Sequence, residues 1–184
     1  MEHKGTVTLE TERLILRRFV PGDEEAVFGN WASDDEVTKF LTWPTHKSID
    51  ASRWYVNFCL DAYSSPDTYQ WGIVLKETGE LFGSISVVHT EENIDAAEIG
   101  YCIGRRFWGR GYTAEALRAV ITFLFEQVGA QRVCARHDSN NPNSGRVMQK
   151  AGMKYEGTLR RSGRNNQGIV DCCVYSILRQ EFHP

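Results

Sequence analysis

The chain lacks any window near the roughly 18 consecutive apolar residues that a membrane-spanning helix needs. Its first residues, Met1 to Leu9, carry charge and threonine instead of the apolar centre of a secretory leader. A cytoplasmic protein with no membrane partner is therefore expected. C-x-x-C spacing is also missing. The five cysteines, Cys59, Cys102, Cys134, Cys172 and Cys173, form an odd set that argues against a disulfide framework and a structural zinc site and reads as reduced thiols. The histidines at 3, 46, 89, 137 and 183 show no paired ligand spacing, so no metal is expected. Nor is there a marked excess of charge: 24 acidic against 21 basic residues leave a net charge of −3. That balance gives no general attraction to nucleic acid or to an anionic membrane, and any anion site has to be built locally. No repeat, low-complexity tract or long linker divides the sequence, and residues 1–184 are expected to fold as one domain.

What is present is enough for a sizeable core, since 41% of the 184 residues are apolar and 11% aromatic. Leu14 to Phe19 alternates as an opening strand, and Pro21-Gly22-Asp23 then starts a helix carrying Ala26, Val27 and Trp31. A short helix is expected near Asp34 to Phe40. Ser48 is a plausible N-cap for a further helix, whose inner stripe reads as Ala51, Trp54, Tyr55, Phe58 and Ala62. On this reading Trp54 belongs to the core. Tyr69–Leu75 and Leu81–His89 flank a polar, glycine-containing connection and predict a hairpin, with a third strand over Ala97–Ile103. From Thr113 the period becomes helical through Leu117, Val120, Ile121, Leu124 and Val128, with Gly129 placed to end it. A strand at Arg132–His137, a helix over roughly Asn143–Ala151 and strands at Met153–Arg161 and Val170–Leu178 complete the order, with Gly163–Gly168 as a loop between the last two. The fold class is α/β (α+β), with a mixed sheet.

The most informative stretch is Glu98-Ile-Gly-Tyr-Cys-Ile-Gly-Arg-Arg-Phe-Trp-Gly-Arg-Gly-Tyr-Thr113, which joins a strand to a helix through paired glycines and three arginines. The first amides of a helix have no intrahelical acceptor, and the helix dipole favours an anion there. Gly109 and Gly111 let the backbone approach phosphate oxygens, while Arg106 and Arg110 add charge. A pyrophosphate is the expected ligand. Gly109-x-Gly111-x-x-Ala114 also satisfies the loose dinucleotide pattern, with Asp138 at the end of the next strand. Against that reading, Gly104 to Trp108 separates strand from glycines, and the upstream chain reads as helices and a hairpin instead of repeated βαβ units. A Walker loop needs Lys followed by Ser or Thr where Tyr112-Thr113 stands.

Arg106-Phe-Trp-Gly109-Arg-Gly111 resembles the R/Q-x-x-G-x-G/A signature of the GNAT superfamily of N-acetyltransferases. Glu98-Ile-Gly-Tyr101 resembles the strand before that signature. Asn141-Pro-Asn-Ser144 with Lys150-Ala-Gly152, the opening run Thr11-Glu-Arg-Leu14-Ile-Leu16-Arg and the ending Tyr175-Ser-Ile-Leu178-Arg resemble the RimJ/RimL-type branch, which acetylates ribosomal-protein N-termini. The resemblance implies a mostly antiparallel sheet of about seven strands, splayed at the cofactor site and flanked by about four helices. It implies acetyl-CoA as cosubstrate. The amides from Arg106 through Gly109, Arg110, Gly111 and Tyr112 to Thr113 would hold its pyrophosphate, and the strand at Tyr101, Cys102 and Ile103 would pair with the pantetheine arm. Asn141 would bond the pantetheine or acceptor side, and Ser144 would lie near the sulfur.

The implied chemistry is attack of a neutral amine on the thioester, with a thiolate leaving. Glu98 is the candidate base, with a plain strand-edge carboxylate paired to Arg105 or Arg136 as the alternative. Many relatives carry a tyrosine acid where this chain has Met148, whose thioether donates no proton. Ser144 is the substitute that the branch implies, against an ordinary first-turn serine. His46 and Asp171 are candidate acceptor contacts, and the loop at 163–168 a candidate gate. The favoured acceptor is a protein or peptide N-terminal α-amine. A polyamine or aminoglycoside-like amine and a non-catalytic CoA-binding module are the rivals, and the assembly is left as monomer or homodimer.

Overall fold

The computed structural model describes residues 1–183. The chain opens with β1 (Leu9–Glu10) and β2 (Leu14–Arg17), then a helical block of α1 (Glu24–Val27), α2 (Asp35–Thr38) and α3 (Ile49–Ala62). The strands β3 (Gln70–Leu75), β4 (Leu81–Glu91) and β5 (Ala96–Ile103) follow, then α4 (Tyr112–Phe123), β6 (Arg132–Asp138), α5 (Pro142–Lys150), β7 (Lys154–Asn165) and β8 (Gly168–Leu178). α1 and α4 each run on into a π-helical turn, Phe28–Ala32 and Leu124–Val128. The sheet has eight strands in the order β1-β2-β3-β4-β5-β6-β8-β7. The strand beyond the expected seven is the two-residue β1, too short to show a period.

Every strand pair is antiparallel except β5–β6, and that exception shapes the molecule. The parallel ladder holds only at Ala96↔Arg132, Ala97↔Val133 and Glu98↔Cys134. Beyond Glu98, β5 continues to Ile103 and β6 to Asp138 without pairing, so the sheet opens into a V. An extra β4 residue, Val88, lies between the rungs Val87↔Ile99 and His89↔Glu98. Such a bulge bends a strand and increases its local twist, here beside the point of separation.

Each face of the sheet has its own core. α4 buries Ala116, Leu117, Val120 and Ile121 on one stripe against Leu16, Trp71, Ile73 and Ile85, and Gly129 ends the helical run at φ +85°. The other face packs Val27, Trp31, Val56 and Cys59 around Phe19.

Three sequence expectations need correction. The buried stripe of α3 is Ser52, Val56 and Cys59, whereas Trp54 is 69% exposed and stacks on exposed Phe58 with ring centroids 5.7 Å apart. Ser52 reads as polar in sequence, yet its hydroxyl bonds His46 Nδ1 at 2.7 Å and is buried at no polar cost. Ser48 has the extended backbone of an N-cap but makes no side-chain capping bond. The segment 163–168 is not a loop: β7 and β8 extend through it to a tight turn at Asn166-Gln167, with Asn165 opposite Gly168.

Candidate active site

The V between β5 and β6 is the natural place for an extended ligand. In a strand paired on one side only, alternate residues direct their N–H and C=O to the open side, so β5 beyond Glu98 offers a ladder edge to the gap. Tyr101 and Ile103 face the α4 side and Cys102 the α3 side. Burial pushes the Cys102 thiol up to about 11, and its sulfur lies 3.4 Å from Ser84 Oγ, so it is a protonated packing group with little nucleophilic character.

At the mouth of the V, Gly104 lets the chain turn away from β5. A Cβ there would sit 2.3 Å from the Asn30 carbonyl oxygen. After the turn at Arg105–Phe107, Gly109 and Gly111 take left-handed φ values of +75° and +83°, and α4 begins at Tyr112. The amides of residues 109 to 114 donate to no acceptor among the described residues; the first helical bond at this end runs from Glu115 N to Gly111 O. No atom lies within 4 Å of where a Gly109 Cβ would stand. Unpaired amides at a helix N-terminus, with Gly109 leaving the approach open, suit an anion such as a diphosphate.

The two arginines of this loop differ. Arg106 is ion-paired with Glu80, while Arg110 is exposed and pairs with no carboxylate among the described residues. Tyr112 and Thr113 are buried at the start of α4. Sequence reasoning gave Arg13 and Glu115 no role here, yet both brace this loop; they stand 102 positions apart, and nothing local announces their meeting.

On the far arm of the V, α5 presents its first turn to Tyr101. The Tyr101 hydroxyl donates to the Ser144 carbonyl at 3.1 Å and lies 3.0 Å from Ser144 Oγ, linking β5 to α5. Burial holds the phenol well above its ordinary range, so it stays protonated at neutral pH. Asn141 occupies the N-cap position without a side-chain capping bond, and its amide side chain has no partner among the described residues. Met148 is buried in the core beneath the helix. Gly145 allows α5 to sit close, because a Cβ there would lie 2.7 Å from His137 Nε2 and 3.2 Å from the Tyr175 hydroxyl.

At the apex, Glu98 is half-buried and its Oε2 accepts from Arg136 Nη2 at 2.6 Å and Nε at 3.1 Å. Its Oε1 has no partner among the described residues. Arg136, and not Arg105, is thus its cation; Arg105 pairs with Asp34 at 3.0 Å. His46 is set among Ser52 and Trp43, and burial lowers its affinity for a proton. Asp171 accepts from the Arg161 amide at 2.7 Å, which steadies Arg161 at φ +49°. Asn166, unremarked in the sequence, ties the β7–β8 turn to the segment before α3: its side-chain nitrogen donates to Thr38 O and Trp43 O, each at 2.8 Å, and its amide to Leu41 O at 3.1 Å. Asn165 bonds Asp138 at 2.8 Å, anchoring the turn to the end of β6 as well.

A parallel strand pair thus opens beside a helix terminus suited to an anion. Residues 13–154 match the family described as Acetyltransferase (GNAT) domain, and the chain belongs to that family. It is 33% identical over 171 residues to the uncharacterized N-acetyltransferase YoaA of Bacillus subtilis (strain 168), covering 93% of this chain and 96% of that protein. A shorter match, 34% over 104 residues and 57% of its partner, is to "Putative ribosomal N-acetyltransferase YdaF" of the same organism. Among solved structures, a GNAT-family acetyltransferase from Bacillus anthracis superposes with a TM-score of 0.82 at 26% identity, covering 95% of this chain and 99% of that one. The protein is thus an acyltransferase of a family whose members use acetyl-CoA.

Proposed function

We propose that this acetyltransferase transfers the acetyl group to a protein or peptide N-terminal α-amine. In this reading the amides from Gly109 to Ala114 bind the pyrophosphate of acetyl-CoA and the open edge of β5 at Tyr101–Ile103 takes the pantetheine arm. Asn141 bonds that arm or the acceptor, and Ser144 lies by the sulfur. The observation that carries the reading is the run of unpartnered amides at the α4 terminus beside the unzipped β5–β6 pair. Acetyl-CoA supplies the activated acyl thioester; the chain's own groups bind, orient and move protons.

Glu98 is the proposed base. Arg136 fixes one carboxylate oxygen and leaves Oε1 open toward a water or the amine. An α-amine, with pKa ~8, asks less of such a base than an alkylammonium at ~10.4. Ser144 is the proposed acid, its hydroxyl giving a proton to the leaving thiolate and regaining one from solvent, in place of a tyrosine at Met148; Tyr101 orients it. His46 and Asp171 are proposed to border the acceptor. A polyamine calls for several uncommitted carboxylates, whereas Glu98 is ion-paired with Arg136, and Asp138 and Asp171 hold local donors. The description of YdaF as a ribosomal N-acetyltransferase supports a protein amine as acceptor.

The test is an acceptor screen that follows free thiol from acetyl-CoA with N-terminal peptides, polyamines and aminoglycosides. Turnover with peptides and none with small amines is expected. Preference for a polyamine would overturn the acceptor. CoA binding without thiol release from any amine would instead mark a binding module, the reading to which Met148 points.

A further inference from the structure

Arg13 immediately precedes β2, far in sequence from the loop at 105–111, yet it touches the end of that loop and the first turn of α4. Its Nη1 donates to the Arg110 carbonyl at 3.1 Å, and its guanidinium carbon lies 4.6 Å from the centroid of the Tyr112 ring. Nε bonds Glu115 Oε2 at 2.7 Å, Nη2 meets the same oxygen at 2.6 Å, and the Arg13 amide donates to Oε1 at 2.9 Å. Thr11 Oγ1 donates to that Oε1 at 2.6 Å, so the carboxylate is held on both oxygens. Burial opposes the Glu115 charge, but the bonds from Thr11 and Arg13 outweigh it and keep the group ionised below its usual range.

In a trans peptide the C=O and the next N–H point in opposite directions. The Arg110 carbonyl and the Gly111 N–H belong to one such unit, and the carbonyl's partner among the described residues is Arg13. With left-handed glycines on both sides of Arg110, nothing local fixes that plane. Arg13 holds the carbonyl and so directs the Gly111 N–H away from its own guanidinium. We infer that Arg13, locked by Glu115 and Thr11, is a positioning residue that pre-organises the anion-binding amides at the start of α4. The inference rests on the proposed placement of the CoA pyrophosphate there. Arg13 also balances the Glu115 carboxylate, which would otherwise repel an arriving diphosphate from the first helical turn.

The test is calorimetric titration of CoA into the wild-type protein and the Arg13→Gln, Arg13→Lys and Glu115→Gln variants. Arg13→Gln is expected to raise the Kd about tenfold, the scale of one charge-assisted hydrogen bond. Glu115→Gln, which loosens the guanidinium, should raise it less, and Arg13→Lys, which keeps one donor for the Arg110 carbonyl, should recover part of the loss. At saturating acetyl-CoA, kcat should stay near the wild-type value while the KM for acetyl-CoA rises. In the free protein, the ¹⁵N resonance of the Gly111 amide should shift more than that of Gly129, at the other end of α4, which a general loss of stability would not produce. Wild-type and Arg13→Gln proteins binding CoA equally would overturn the role of Arg13 and leave the cradle standing. A wild-type protein with no affinity for CoA would sink the cradle itself. Should Arg13→Gln not fold, the Arg13→Lys and Glu115→Gln titrations decide, and an unchanged Kd in both rejects the inference.

Discussion

Glu98 and Arg136 form a two-point ion pair, with distances of 2.6 and 3.1 Å, at the rung beyond which β5 and β6 separate. Both side chains project to the same side, away from α4, so the pair closes the narrow end of the V. A base placed here meets an amine approaching from the α3 side, and the cation beside it prevents the carboxylate from wandering. Glu98→Gln keeps the shape and removes the proton acceptor. The loss of kcat/KM is expected to reach about 10²-fold at pH values where the acceptor amine is mostly protonated, and to shrink as the pH passes the amine's own pKa. A pH–rate profile parallel to that of the wild-type enzyme would remove Glu98 from the chemistry and leave it as a strand-edge ion pair.

Gly111 caps α4 at φ +83°, with Arg13 Nη2 3.5 Å from the position of a Cβ. A β-branched side chain at this φ is strained by about 1–3 kcal/mol and would press on the Arg13 guanidinium that holds the Arg110 carbonyl. Gly111→Val should therefore raise the Kd for CoA at least tenfold, with a smaller effect on the unfolding midpoint. Unchanged affinity, measured by calorimetry, would place the pyrophosphate elsewhere.

How far the sequence carries depends on whether a feature is local. The stripe Leu117, Val120, Ile121, Leu124 and Val128, with its terminal Gly129, is a complete helical signal within one window, and all five side chains are buried. Gly109 and Gly111 were legible for the same reason, as paired glycines in the connection from a strand to a helix, and the structure gives both left-handed φ values, which favour glycine. α3 shows the limit. Two faces compete along it, and the more apolar one, with Trp54 and Phe58, is the exposed one, because His46 from outside the helix satisfies Ser52 on the inner face. The braces made by Arg13 with Glu115 and by Asn166 with Thr38 and Trp43 join segments about a hundred or more residues apart and leave no pattern in a single sequence.

Gly145 offers a packing test of the Ser144 position. The missing Cβ would stand 2.7 Å from His137 Nε2, a buried nitrogen with no partner among the described residues, while the ring's Nδ1 donates to the Asp138 carbonyl at 2.7 Å. The ring cannot retreat without giving up that bond, so Gly145→Ala has to lift α5. A cost of about 1–3 kcal/mol is expected, or a fall of roughly 2–12 °C in Tm. The lift would also draw Ser144 away from Tyr101. A variant with wild-type Tm and kcat would show that α5 shifts freely and that its seating does not matter.

Acid stability should depend on Glu156. Arg132 bonds both its oxygens, and Ser176 adds a donor at 2.6 Å; the arginine is the largest cause that brings the carboxyl from 4.5 down to about 2. The folded state thus holds this proton less tightly than the unfolded chain. Stabilisation is fully present above pH 4.5 and drains away as the pH falls toward 2. Because the side chain is 41% exposed, solvent screening reduces the effect to about 1 kcal/mol. Glu156→Gln should lower the urea midpoint at pH 7 and differ less from the wild type at pH 3. An equal gap at both values would show that the charge contributes nothing.

The cofactor and acceptor sides should be separable through Asn166. Its side chain holds Thr38 O and Trp43 O at 2.8 Å from outside the V, and none of its bonds reaches α4 or the glycine loop. Asn166→Ala leaves the amide bond to Leu41 in place and removes the two side-chain donors, at a cost of about 1–2 kcal/mol. The freed β7–β8 turn and the segment carrying His46 would then move independently, with faster amide exchange at residues 163–168. The Kd for CoA should stay within about twofold of the wild type, while the KM for the acceptor amine rises by severalfold, because the groups proposed to border it are no longer held together. An unchanged acceptor KM, with exchange at the turn visibly accelerated, would show that this clamp serves stability alone and that the acceptor enters by another side.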